Sequence, residues 1–224
     1  MYYGIKPGIA YCVTGATVIL LDIEESRYFA LPESTAKAFI RLLHRQGELI
    51  QDDEICLADL LIKGYLMPVP GPRQMAFDAD IEPSHIDGRS LGSGHVPISY
   101  MLLAIWHQMT SVIRLQTVNF RDVLARIRAR SPVQTLSEED CDRRAWLLAK
   151  AFERTSVVFG RTDRCLVRSI AMMAACHRLG IPAQFIIGVR SDPFVAHSWI
   201  QRRDITLNDT VEHVRNFTPI LVVR

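Results

Sequence analysis

Apolar positions come in two rhythms along the first 70 residues. "IAYCV" (9–13), "TVILLDI" (17–23) and "RYFAL" (27–31) are short runs rich in β-branched, aromatic and aliphatic residues. Gly15 and Glu24–Ser26 punctuate them as turns, so three strands are predicted. The rhythm then changes. "PESTAKAFIRLLHRQG" opens at Pro32, closes at Gly47 and places Ala36, Phe39, Ile40, Leu42 and Leu43 at helical spacing. A second helix is predicted over Asp53 to Lys63, closed by Gly64 and followed by an extended "YLMPV". Together these pieces form a small winged-helix-like unit over 1–70.

Residues 68–97 lose this periodicity. They hold "PVPGPRQMAFDADIEPSHIDGRSLGSGHVP", dense in Pro and Gly, and 71–97 reads as a linker. A second domain is assigned to 98–224. "ISYMLLAIWHQMTSVIRL" is an apolar helical segment, "FRDVLARIRAR" is amphipathic, and Ser137 with Glu138, Glu139 and Asp140 marks a helix start. An apolar helix over 164–179 ends at Gly180-Ile181-Pro182. Strand-like "AQFIIGVR", "VAHSWIQ" and "ITLND" follow, and "PILVV" comes last. The class is therefore α+β.

Charge and composition narrow the function only by exclusion. The chain has 224 residues, 49% hydrophobic and 22% charged, with a net charge of +2. That balance argues for neither nucleic acid nor an anionic membrane as partner. The predicted helix 53–63 is acidic (Asp53, Glu54, Asp59 against Lys63), which suits no DNA groove. Arg114, Arg121, Arg126, Arg128 and Arg130 form a basic stripe outside that unit, read as a solvated helix face. No signal-peptide pattern and no run of membrane-spanning length are expected. Five scattered cysteines do not make a disulfide framework, so a reducing cytoplasm is the default. There is no C-x-x-C pair for zinc and no G-x-x-x-x-G-K-[ST] phosphate loop.

The chemistry concentrates in the helix 164–179. Its two cysteines, Cys165 and Cys176, are close to a whole number of turns apart and share a face. Their ends of the helix differ. The N-terminus offers unpaired N–H groups and partial positive charge, which stabilise a thiolate. Cys165 is the candidate nucleophile, and Cys176 is a small core residue. Of seven histidines, His197 in "VAHSWIQ" is the candidate base. His44 and His177 read as exposed helical residues, and His85 and His95 fall in the linker. His107 and His213 show no obvious partner. If Arg202–Asp204 forms a three-residue hairpin loop, His197 faces Asp209 on the next strand, close enough to orient the imidazole. A two-residue loop would shift this register by one.

The segments "CLVRS", "LGIPA", "IGVR", "PF.AH.W" and "ND", from Cys165 to Asp209, resemble the lasso peptide biosynthesis B proteins. These are leader peptidases with a papain/transglutaminase-like domain, a central helix packed on an antiparallel sheet. "DIEESRYFAL" and "LLIKGYL" resemble their fused precursor-recognition domain. The resemblance implies a Cys165–His197–Asp209 triad. It also implies a precursor leader peptide bound as an added strand near Tyr28, Phe29, Leu60 and Lys63. The expected partners are the precursor peptide and an asparagine-synthetase-like cyclase. The cysteine chemistry itself requires no cofactor; ATP dependence is associated with the family. A transglutaminase-like acyl transferase and a non-enzymatic leader-binding scaffold remain alternatives.

Overall fold

The computed structural model describes residues 1–224 except 74, 76–80, 83, 89, 91–93, 131–135 and 160–163, and the side chains of 157–159. The chain divides into two compact units, Met1–Ala79 with Ser191–Pro193 and Asp80–Arg190 with Phe194–Arg224.

In the first unit, β1 (Tyr2–Ile5) precedes β2 (Ile9–Thr14), β3 (Thr17–Asp22) and β4 (Arg27–Ala30). The last three form an antiparallel meander in the order β2-β3-β4. Helices α1 (Glu33–His44) and α2 (Gln51–Ile62) follow, then β5 (Leu66–Val69), which pairs antiparallel with β1 in a separate two-stranded sheet. The three strands and two helices lie where the apolar rhythm placed them. β1 was not anticipated, because "YYGI" carries a glycine and its partner lies over 60 residues further along the chain. One sheet face packs Val18, Leu20 and Phe29 against Phe39 and Leu42 of α1 and Leu57 and Leu60 of α2. Burying such side chains is the main stabilising term of the unit.

Asp53 of α2 is turned inward, and Arg41 of α1 and Arg45 just after it pair with its two oxygens. The hydrogen bond from Arg41 holds its carboxyl below the ordinary carboxylate range. A buried charge is tolerated when it is paired and hydrogen-bonded in this way. The acids that α2 shows to solvent are therefore Asp52, Glu54 and Asp59, and its outer face remains acidic.

The second unit opens with β6 (Ile86–Asp87), inside the stretch read as a linker. It runs α3 (Ile98–Thr117), α4 (Phe120–Arg128), α5 (Glu138–Phe159), α6 (Cys165–Leu179), β7 (Gln184–Ser191), β8 (Phe194–Arg202), β9 (Ile205–Thr206), α7 (Val211–Val214) and β10 (Thr218–Val223). The sheet order is β10-β7-β8-β9-β6. Part of the expected linker is thus built into this unit. β6 pairs parallel with β9, and the Ser84 hydroxyl donates to Gln201 Oε1 at 2.7 Å in a buried site. No local pattern signals this, since its partners lie more than 110 residues downstream.

α6 packs against β8 with α3 and α5 on its flanks. Its middle, from Ser169 to Cys176, is buried except for the partly exposed Ala174, as a mostly apolar helix requires. Gly180 closes it in the left-handed region (φ 68°), a conformation that costs glycine little. His177 is half-buried rather than exposed, because α6 has no solvent face broad enough to carry it. Gly188 of β7 has a different purpose. A Cβ there would stand 2.8 Å from the Trp199 ring, so its absence lets the indole lie flat on the sheet beside His197.

Candidate active site

Cys165 is the first residue of α6. Arg164, which precedes it, provides no side-chain cap, so the N–H groups of the first turn are not taken by a capping side chain there. Thr162 and Asp163, which the sequence places just before, lie outside the described residues. β8 carries His197 toward the same point. His197 Nε2 and Asp209 Oδ2 are 2.5 Å apart, and both side chains are largely shielded from water. With Nε2 held by Asp209, Nδ1 is the ring nitrogen left to serve Cys165. The structure thus brings together the three residues named as a triad from the sequence.

It does so by a different route from the one expected. The hairpin loop has two residues, not three: Arg202 faces Ile205 and Gln201 faces Thr206. Arg203 takes a positive φ of 53°, which closes the tight turn. Continued as a ladder, this register would place Asp209 opposite Ser198. The ladder instead stops at Thr206. Leu207 N–H still donates to Ile200 O, but the Ile200 N–H is taken by the side chain of Asn208 at 2.8 Å. Asn208 Nδ2 also donates to Ser169 of α6 at 2.9 Å, and the Ser169 hydroxyl donates to the Ser198 carbonyl. Asn208 therefore ends the strand and ties β8 to α6. The following bend swings Asp209 back to His197.

The electrostatics match this geometry. Burial acts to raise the Cys165 thiol, but hydrogen bonding and charge attraction from His197 outweigh it and hold the thiol below its ordinary value. Burial likewise works against a charged His197. Its bonds to Asp209 and Cys165 prevail and raise it to about 9. Asp209, despite burial, is lowered to about 2 by His197, His213 and the Thr210 N–H. The shifts run in the direction of a thiolate–imidazolium pair backed by a carboxylate. Cys176 behaves oppositely. Complete burial pushes its thiol up to about 12, the property of an inert core residue.

Two groups escaped the sequence reading. One is Asn208. The other is His213 of α7, whose Nδ1 lies 2.9 and 3.1 Å from the two oxygens of Asp209. Its ring meets His197 edge-on at 4.6 Å. The signal was the i,i+4 spacing from Asp209 to His213 with Thr210 as cap between them. With Nδ1–H donating, His213 helps hold the carboxylate that orients His197. His213→Ala is expected to lower kcat about fivefold with little change in KM, the loss of one charge-assisted hydrogen bond. His213→Gln should recover part of it. Steady-state kinetics of the three proteins check this.

These groups line a cleft of about 300 Å³ bounded by Cys165, Arg168, His197, Ser198, Asn208, Asp209, Thr210 and His213. His197, Asp209 and His213 each offer one donor atom within 4.8 Å of the others. A divalent cation held there would replace the proton between His197 and Asp209 and so silence the base.

The residues placed near a bound leader behave less uniformly. Tyr28 and Phe29 of β4 are half-buried, with Phe29 stacked on Tyr65 at 5.2 Å. Lys63 is exposed at the end of α2. Leu60 is packed into the core at 3% exposure, so it supports the unit and offers no surface to a peptide.

A cysteine at a helix start, with a histidine on the adjoining strand and an acid beyond it, is an arrangement suited to acyl transfer through a cysteine thioester. A comparison with family models agrees: the model of the transglutaminase-like superfamily matches residues 108–222, and the chain belongs to that superfamily. No curated protein and no solved structure matches the chain. Among the described residues no helix is long and apolar enough to cross a membrane.

Proposed function

We propose that this protein is a cysteine peptidase that binds the leader of a ribosomally made precursor peptide and cleaves it off during lasso peptide maturation. The observation that carries this reading is the Cys165–His197–Asp209 constellation lining an open cleft in a chain of the transglutaminase-like superfamily. Its chemistry follows from the groups present. Cys165 Sγ attacks the scissile carbonyl carbon, and backbone N–H groups at the start of α6 face the developing oxyanion. His197, protonated at Nδ1, gives that proton to the departing amine as the C–N bond breaks. Water then attacks the thioester, His197 takes up its proton, and the leader leaves with a new carboxylate. The freed amine is the N-terminus of the core peptide, which passes to a separate asparagine-synthetase-like cyclase. The sequence carries no P-loop, and ATP enters none of these steps; we assign the family's ATP dependence to the cyclase or to a complex with it. All these steps suit a cytoplasmic setting.

The first unit supplies a place for the leader. β4 is an edge strand of its sheet. Leu31 N–H donates inward to Val18 O, so strand alternation points the backbone groups of Ala30 away from β3. An added peptide strand would use those groups, with Tyr28 and Lys63 beside it. Holding the leader on the same chain as Cys165 raises the effective concentration of the scissile bond. Ala30→Pro removes an outward donor without touching the ladder to β3. It is expected to weaken binding of a fluorescent leader peptide about tenfold by anisotropy, with the melting temperature little changed. Unchanged affinity would count against strand addition at β4.

A transglutaminase-like transfer is the second reading, supported by the same superfamily match. It shares the thioester and differs only in the acceptor, an amine in place of water. Product mass separates the two.

A further inference from the structure

α3 presents an anomaly that the peptidase reading does not absorb. One side of the helix packs on α5 and α6, with Ala104, Gln108 and Ser111 buried. The opposite side carries Ile98, Leu102, Trp106, Met109 and Ile113, each more than half exposed. Between residues 98 and 113 there is no Asp, Glu, Lys or Arg; the first charge is Arg114. A helix that is apolar all round belongs in an interior, yet this one has a packed half and an open half.

The spacing describes what would cover it. Leu102, Trp106, Met109 and Ile113 step by four, three and four residues, the seam that meets another helix knobs-into-holes, and Ile98 extends it by one turn. Together the five side chains expose on the order of 600 Å², the upper end for the largest apolar patch of a monomer. Two such faces pressed together would bury roughly 1,200 Å², which reaches the size of a specific interface. Homodimer interfaces are the more apolar class, and a face without charge meets no like charge when set against its own image. A helix that lay on a membrane would carry Lys or Arg along its flanks, and this one has none before Arg114.

We propose that this face of α3 pairs with the same face of a second copy of this chain, the two helices antiparallel about a two-fold axis near Trp106. Sedimentation velocity on the full chain from about 1 to 100 µM tests it. The expected result is a monomer–dimer equilibrium with dimer dominant at the upper end. Trp106→Glu should weaken the dimer about thirtyfold or more, the loss of a central aromatic anchor, with an unchanged circular dichroism spectrum. Met109→Glu serves as a second variant should the first fold poorly. A wild-type chain that stays monomeric throughout the range, whether or not it floats with phospholipid vesicles, overturns the proposal. So does a dimer that survives substitution in a folded variant.

Discussion

Cys165→Ala is expected to reduce leader removal by at least about ten thousandfold while leaving leader binding intact. The magnitude follows from what the substitution removes. Without Sγ no thioester forms, and what survives is binding plus oxyanion stabilisation at the start of α6, a small remainder of the total rate enhancement. Cys165 lies at the surface of the cleft and not in the core, so the fold should tolerate the change. Cys176→Ala makes the comparison. It is fully buried, its thiol is pushed up to about 12, and its loss should cost stability but not the reaction. Chromatography of the cleaved leader for both variants, with anisotropy for binding, checks the pair. Leader removal that persists in Cys165→Ala would leave only the scaffold reading.

Asp209→Asn is expected to lower kcat/KM about a thousandfold, and its signature is a shifted pH profile. In the native chain burial disfavours a charged His197, but Asp209 and Cys165 raise it to about 9. The thiolate–imidazolium pair therefore exists from the lowered Cys165 value up to about 9. The neutral amide that replaces the carboxylate cannot hold the imidazolium by charge. The alkaline limb should move down toward or below the ordinary 6.5, and Cys165 alkylation by iodoacetamide should need higher pH. Stability changes in the same sense. The raised His197 contributes stability fully present below about 6.5 and lost as pH rises through about 9. The lowered Asp209 contributes stability present above its ordinary 3.8 and lost as pH falls through about 2. In Asp209→Asn both dependences should flatten. Alkylation rates and melting temperatures across pH measure this.

Much of the site was legible in the sequence because its logic is local. The polarity of one helix separates Cys165 from Cys176, and their burial differs in the same sense. The acid partner was found by a register the chain does not adopt. A two-residue turn should have turned Asp209 away; Asn208 restores it by taking the Ile200 N–H with its side chain. Side-chain substitution for a ladder bond leaves no periodic trace, so pattern reading misses it. β6 and the buried Ser84 were hidden for a related reason: their partners lie far downstream, and the intervening Pro and Gly look like a linker. His213 was visible as i,i+4 from Asp209, a spacing that gains meaning only once α7 is known to be helical. Leu60 shows the limit in the first unit. Helical spacing alone does not say which of Leu60 and Lys63 turns inward.

The most direct test of the central claim is the mass of the leader product. The wild-type chain is incubated in ¹⁸O-water with a synthetic lasso precursor peptide that it binds, and the fragments are weighed. Hydrolysis through Cys165 predicts a free core peptide and a leader fragment with one ¹⁸O in its new C-terminal carboxylate. An uncleaved precursor, or a leader acyl group carried onto an amine without ¹⁸O, would contradict it.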